Sequence, residues 1–263
     1  MKTVFEKLNQ IDSGEIGLKI FSTRTHDYLC SLNSEMSIPL ASSAKVAIGF
    51  CIAKWVEEDL IKWEDTVGEI KYNPDEDSKE LYPHYQHRTS LQLKEAVEVM
   101  IACHDSFVAD SVVNFCGGWN KVNNKIRSYY PTIYVTENPT DYENKGQLDQ
   151  VLDLMLHIFQ EHKKNGPLWT PIISGLIRQK GDIEGIPTHF FNHMTGGLEN
   201  IIVDIGILGD INRDPYIFAF GAKSLPSRFS NQDADRKFFE AMNLLYIEYS
   251  AQYNTDKIKI LER

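Results

Sequence analysis

Residues 41–53 read Ala41-Ser42-Ser43-Ala44-Lys45-Val46-Ala47-Ile48-Gly49-Phe50-Cys51-Ile52-Ala53, and this stretch decides the fold. Past Lys45 its body is apolar on every side, and a helix of that kind is buried all round. The stretch is therefore expected to be a central helix beginning just after Pro39. On its N-terminal side, Val4, Leu8 and Ile11 mark a short amphipathic helix before Gly14. Two alternating apolar segments, 16–21 and 28–32, then flank the polar turn 23–27, which reads as a β-hairpin.

Strand character fades between about Lys54 and Pro187, where helical spacing recurs at 91–103, 109–115 and 148–159 with polar loops between. It returns at 190–194, 201–208 and 216–222, and 233–253 reads as an amphipathic helix. Strands from both chain ends are thus expected to share one sheet. The fold class is α/β (α+β): an antiparallel five-stranded sheet built from both chain ends, flanked by helices, with an inserted all-helical lobe. Residues 1–53 and 188–263 would form the sheet lobe and 54–187 the helical lobe. Together they make one structural unit with the site between them.

Composition narrows the function. With 263 residues, 42% of them hydrophobic, the chain can bury a sizeable core. A formal charge of −10, from 37 acidic and 27 basic residues, leaves no basic stripe to neutralise phosphates, so nucleic acid is not an expected partner. A small molecule is. No apolar run approaches the ~20 residues that cross a bilayer, and the start turns polar before a signal-peptide core forms, so the reading is a cytoplasmic protein without a membrane partner. A monomer is expected. The cysteines, Cys30, Cys51, Cys103 and Cys116, are scattered and read as buried free thiols. The pairs His189/His193 and His84/His87 lack a nearby cysteine or carboxylate in zinc spacing, so neither a metal nor another cofactor is called for.

Ser42 and Lys45 stand three apart at a helix start, on one face, which lets the amine reach the hydroxyl. The helix N-terminus and burial both push a lysine pKa down, toward a base that can activate a serine nucleophile. Taken alone, Ser-x-x-Lys is read more readily as an N-capping serine followed by a snorkelling lysine.

More of the chain supports the chemical reading. Residues 38–45, Ile-Pro-Leu-Ala-Ser-Ser-Ala-Lys, residues 16–21, the Gly117-Gly118-Trp119 turn, His104-Asp105-Ser106 after a helix, and Met194-Thr195-Gly196-Gly197 fall in the order of known segments. In that order the chain resembles the class A β-lactamase and penicillin-binding-protein family, as a divergent member. The resemblance implies a β-lactamase/transpeptidase-like fold. It also implies a serine hydrolase or acyltransferase that forms a covalent acyl-enzyme on an amide, lactam or ester. Ser42 would attack, Lys45 would accept its proton, and His104, in place of the family's loop serine, would be the general acid for the leaving group. An imidazole suits that work at its ordinary pKa of ~6.5. Backbone N–H groups of Ser42 and Gly197 would form the oxyanion hole. Asp105 matches a structural aspartate, and Ser106 matches an asparagine that touches lysine and substrate. Thr195 and Gly196 match substrate-binding positions.

Two departures stand out. Met194 replaces the family's strand lysine, which removes a carboxylate anchor; strand alternation argues against His193 taking its place, but puts His193 beside Thr195, as a candidate substrate-binding residue. The family's deacylating glutamate has no evident counterpart: between Pro131 and Leu148 the only glutamates are Glu137 and Glu143, neither in a Glu-x-x-Leu-Asn setting. A catalytically silent or non-turnover ligand-binding or sensor protein of the same fold is therefore the alternative.

Overall fold

The computed structural model describes the backbone of residues 1–261 and the side chains of residues 1–253. The chain opens with α1 (Lys2–Leu8), the hairpin β1 (Glu15–Ser22) and β2 (Asp27–Leu32), and the short β3 (Ser37–Pro39). A single 3-10 turn, Ala41–Ser43, leads into α2 (Ala44–Glu57). Then follow β4 (Thr66–Val67), α3 (Ser78–Leu81), β5 (Leu91–Gln92), α4 (Leu93–Ala102), α5 (Ser106–Phe115) and α6 (Trp119–Tyr129). After β6 (Lys145–Gln147) come α7 (Leu148–Lys164) and α8 (Gly166–Arg178), the strands β7 (Phe191–Leu198), β8 (Ile201–Leu208) and β9 (Tyr216–Lys223), and α9 (Asp233–Leu261).

The five-stranded antiparallel sheet runs β2-β1-β9-β8-β7, so the two ends of the chain meet where β1 pairs with β9. Its edge strand β7 continues four residues past the expected 190–194, because 195–198 stay in register with 201–204 of β8. The cysteines are all buried free thiols, and no described helix is long and apolar enough to cross a membrane.

Two apolar layers cover the sheet. α1 and α9 close one face through Val4, Leu8, Phe218, Phe220, Phe238 and Leu245. The other face packs on the helices around α2, which buries every residue from Ala44 to Ala53. Phe50 shows how tightly: it is fully buried, with the rings of Tyr129, Tyr130, His157 and Trp169 at 5.0–5.7 Å. Truncating such a side chain to alanine costs about 3–5 kcal/mol. α8, which crosses this layer, carries Pro171 in its interior. Proline removes one helical hydrogen bond, but Trp169, Ile172, Ile173 and Leu176 bury the helix firmly enough to hold it.

Candidate active site

The turn Ala41–Ser43 presents Ser42 at the head of α2. Ala41 takes a φ of 46°, rare for a residue with a Cβ. Its carbonyl accepts a hydrogen bond from Asn144 Nδ2 at 2.9 Å, and Ser43 Oγ donates to the Leu40 carbonyl at 2.6 Å. These two bonds set the turn from both sides. One turn later Lys45 Nζ lies 3.3 Å from Ser42 Oγ. Lys45 is only 3% exposed, and burial pushes its ammonium down from 10.5 to about 8, against the pull of the Glu76 and Asp105 carboxylates. A useful share of neutral amine is therefore present near neutral pH.

The α4–α5 turn brings up the second group of residues. Asp105 caps α5 and is fully buried, accepting the backbone N–H of Phe107, Val108 and Asn73 at 3.0–3.3 Å. It holds residue 73 and the head of α5 together. Ser106 Oγ accepts from Asn73 Nδ2 at 3.1 Å and borders the hollow that contains Lys45. His104, at φ 57°, lies with its Nε2 2.7 Å from Gln179 Nε2. Burial, with Lys45 and then His193 adding to it, holds its pKa down at about 3. That lies well below the ordinary ~6.5 on which the general-acid expectation rests. At neutral pH His104 is a neutral imidazole, a hydrogen-bond donor or acceptor and not a store of protons.

β7 lies alongside the nucleophile turn. Met194 is fully buried in the layer that holds α2 and offers no charge. Gly196 faces the same way: a Cβ built on it would meet the Leu40 carbonyl at 2.2 Å. Gly197 is exposed at the end of this edge strand, and Thr195 is partly exposed on the opposite face from Met194. His193 is a correction. It does share that face with Thr195, yet it is 2% exposed and fully engaged, with Nδ1 2.8 and 2.9 Å from the Asp204 carboxylate and Nε2 3.0 Å from the Gly181 carbonyl. Both ring nitrogens are spent inside the protein, so none is left for a substrate.

The loop between α6 and β6 supplies what sequence reasoning missed. Asn123 grips it through Val135, donating to its carbonyl at 2.8 Å and accepting its N–H at 2.9 Å. Asn144, 0% exposed, ties its far end to Ala41. The short loop is thereby folded over the nucleophile turn, and Glu137 and Asn144 border the same hollow as Lys45 and Ser106. Glu137 thus borders this hollow from a loop of different sequence. Asn144 Oδ1 is buried there without a protein partner. From Ser106 and Glu137 a cleft of about 1170 Å³ opens outward, lined by the carboxyl groups of Glu69, Glu76, Asp110 and Glu137 and by Lys71, Phe107 and Phe115. None of those four carboxylates is in an ion pair among the described residues. Burial raises the Glu76 pKa, and Lys45 opposes that. Among the described residues no cluster of three or more His, Cys, Asp or Glu is gathered as if to hold a metal ion.

The fold has relatives among solved structures. A variant of PBP-A solved as an acyl-enzyme with penicillin G superposes with a TM-score of 0.78 at 16% identity, over 95% of this chain and 96% of that one. A β-lactamase from Chitinophaga pinensis gives 0.78 at 16% identity over 94% and 98%, and one from Xanthomonas campestris 0.73 at 12% over 92% and 96%. At such identities the likeness is one of fold. No curated protein matches the chain. The sequence model of the β-lactamase enzyme family matches residues 2–246, nearly the whole length. The chain belongs to the β-lactamase enzyme family.

Proposed function

We propose that the protein is a serine hydrolase or acyltransferase that forms an acyl-enzyme on Ser42 from an amide, lactam or ester. The observation that carries this reading is the buried Lys45 amine, 3.3 Å from Ser42 Oγ and titrating at about 8. Burial lowers a lysine's pKa, and a lysine so lowered beside a serine is the kind of base that activates a nucleophile. Lys45 takes the Ser42 proton as Oγ adds to the acyl carbon, while the N–H groups of Ser42 and Gly197 receive the oxyanion. The ammonium so formed is the acid that returns the proton to the departing nitrogen or oxygen. His104, neutral, contributes an N–H hydrogen bond to that departing group.

Deacylation falls to Glu137. It draws a proton from the attacking water, with Asn144 Oδ1 as the second acceptor; the water oxygen adds to the acyl carbon, the bond from that carbon to Ser42 Oγ breaks, and the proton passes from Glu137 by way of Lys45 to Oγ, which restores the serine. The carboxylates of the cleft and the apolar Met194 favour a neutral or cationic substrate over an anionic one. A ligand-binding protein without turnover is the second reading; Met194, buried where a charged anchor would serve, is the observation that favours it. Hydrolysis of a chromogenic activated ester separates the two. The first reading expects turnover that both Ser42→Ala and Lys45→Ala abolish, whereas equal rates in all three proteins would reject it.

A further inference from the structure

One hydrogen bond at the site has a consequence for the form of His104. Its Nε2 lies 2.7 Å from Gln179 Nε2, just past the end of α8. A carboxamide nitrogen carries two hydrogens and accepts nothing, so the imidazole Nε2 must be the acceptor. The orientation of the carboxamide follows from a second contact, and it leaves Gln179 Oε1 buried without a protein partner. The same Gln179 Nε2 also donates to the carbonyl of Lys180, and turning the group over would press Oε1 against that oxygen. A neutral imidazole whose Nε2 accepts carries its hydrogen on Nδ1. Nδ1 makes no hydrogen bond within the protein among the described residues and is not sealed from solvent.

The segment that delivers Gln179 is fastened at each of three consecutive residues. Gln179 itself reaches the α4–α5 turn. Lys180 pairs with Asp77 at 3.3 Å and with Glu80. The Gly181 carbonyl receives His193 Nε2, and His193 is held from its other side by Asp204, which is 0% exposed. At position 181 a Cβ would lie 2.6 Å from His193 Nε2, so only glycine lets the segment approach the sheet this closely. The buried His193–Asp204 pair, unused by the reaction, is thus the rivet that holds this strap against β7 and β8.

We infer that Gln179 is a positioning residue that fixes His104 as the Nδ1–H tautomer, so that the site presents an N–H donor to the substrate. Only the kinetic consequence rests on the function proposed above; the tautomer does not. A methyl- or carboxylate-bearing side chain at 179 would remove or reverse the donor while keeping the length.

The test is a proton–nitrogen correlation spectrum of the histidine rings in nitrogen-15-labelled protein at pH 7, with the His104 signals assigned by their loss in His104→Ala. Wild type should show His104 protonated on Nδ1. Gln179→Met should lose that preference, and Gln179→Glu, whose carboxylate can only accept, should move the hydrogen to Nε2. Unchanged signals from the other histidines report that each variant is folded. Wild type protonated on Nε2, or a Gln179→Met protein that keeps Nδ1–H, would overturn the inference. This arm needs no turnover, so it stands even if the chain acylates nothing. In the kinetic arm, Gln179→Met should lower kcat on an amide about 10-fold, the worth of one hydrogen bond to a developing charge, with KM and the rate on an activated ester little changed. A switched tautomer with unaltered amide turnover would remove His104 from the reaction while leaving Gln179 as the residue that orients it.

Discussion

Gly196 lies beneath the nucleophile turn at a distance that leaves no room for a side chain: a Cβ there would sit 2.2 Å from the Leu40 carbonyl oxygen and 3.1 Å from Ala41 Cβ. The contact is to backbone, which cannot swing aside. It ties the edge strand to Ser42, two residues beyond Leu40, and makes the spacing between strand and nucleophile a property of the chain itself.

Gly196→Ala should accordingly move β7 away from the turn. Overpacking of this kind costs about 1–3 kcal/mol, and the oxyanion geometry between the N–H groups of Ser42 and Gly197 opens with it. Thermal melting should show a modest loss of stability while ester turnover falls by orders of magnitude. Normal turnover in this variant would mean that the strand takes no part in the site.

The buried Lys45 predicts a pH profile and a stability effect of fixed sign. Acylation needs the neutral amine, so its rate should rise with pH and level off above about 8. For stability, the folded lysine loses its proton near 8 while the unfolded one keeps it to 10.5, so the unfolded chain binds more protons across that window and stability rises with pH there. Below pH 8 the strain of the buried ammonium is carried in full. Lys45→Met should then be inactive and more stable at pH 7, by on the order of 2–3 kcal/mol. A destabilised Lys45→Met protein in denaturant titration would contradict the cause assigned to the shift.

Glu137→Gln should separate the two halves of the cycle. Formation of the acyl-enzyme, which runs through Ser42 and Lys45, should keep its rate. Its hydrolysis should slow by about 100-fold or more, the usual worth of a general base, so that an adduct accumulates. Stopped-flow traces would show a burst followed by a slow steady state. Loss of the burst itself would place Glu137 in acylation instead.

The cleft charges predict a substrate preference. With Glu69, Glu76, Asp110 and Glu137 on its walls, outnumbering Lys71 there and none of them ion-paired among the described residues, an ester bearing an ammonium group should react faster than its carboxylate-bearing counterpart. The gap should narrow as salt is raised, since exposed charges are screened beyond ~10 Å at 0.1 M. Equal kcat/KM values for the matched pair at low salt would show that the rim does not select charge.

How much of this could be read from the sequence depended on the range of the signal. The all-apolar body of residues 46–53 and the five strand segments are local patterns, and both stand where the sequence places them, save that β7 runs on to Leu198. Ser42 and Lys45, three apart on one turn, meet for the same reason. α8 was not legible because Pro171 argues against a helix that only tertiary burial sustains. That Glu137 borders the hollow of Lys45 was not legible, because its position follows from the path of a loop held by Asn123 and Asn144, two residues whose bonds reach across 12 and 103 positions. Strand parity placed His193 on the correct face but said nothing of Asp204 and Gly181, which consume both of its nitrogens. The neutrality of His104 likewise depends on burial and on a nearby lysine, which no spacing announces.

The most direct test of the central claim is intact-mass measurement of wild type and Ser42→Ala after exposure to a penicillin, a cephalosporin and an activated ester. A single added acyl mass on wild type with at least one probe, absent from Ser42→Ala and mapping to the peptide that contains Ser42, is the predicted result. An adduct that survives in Ser42→Ala, or no adduct with any probe under conditions where the protein is folded, would contradict it.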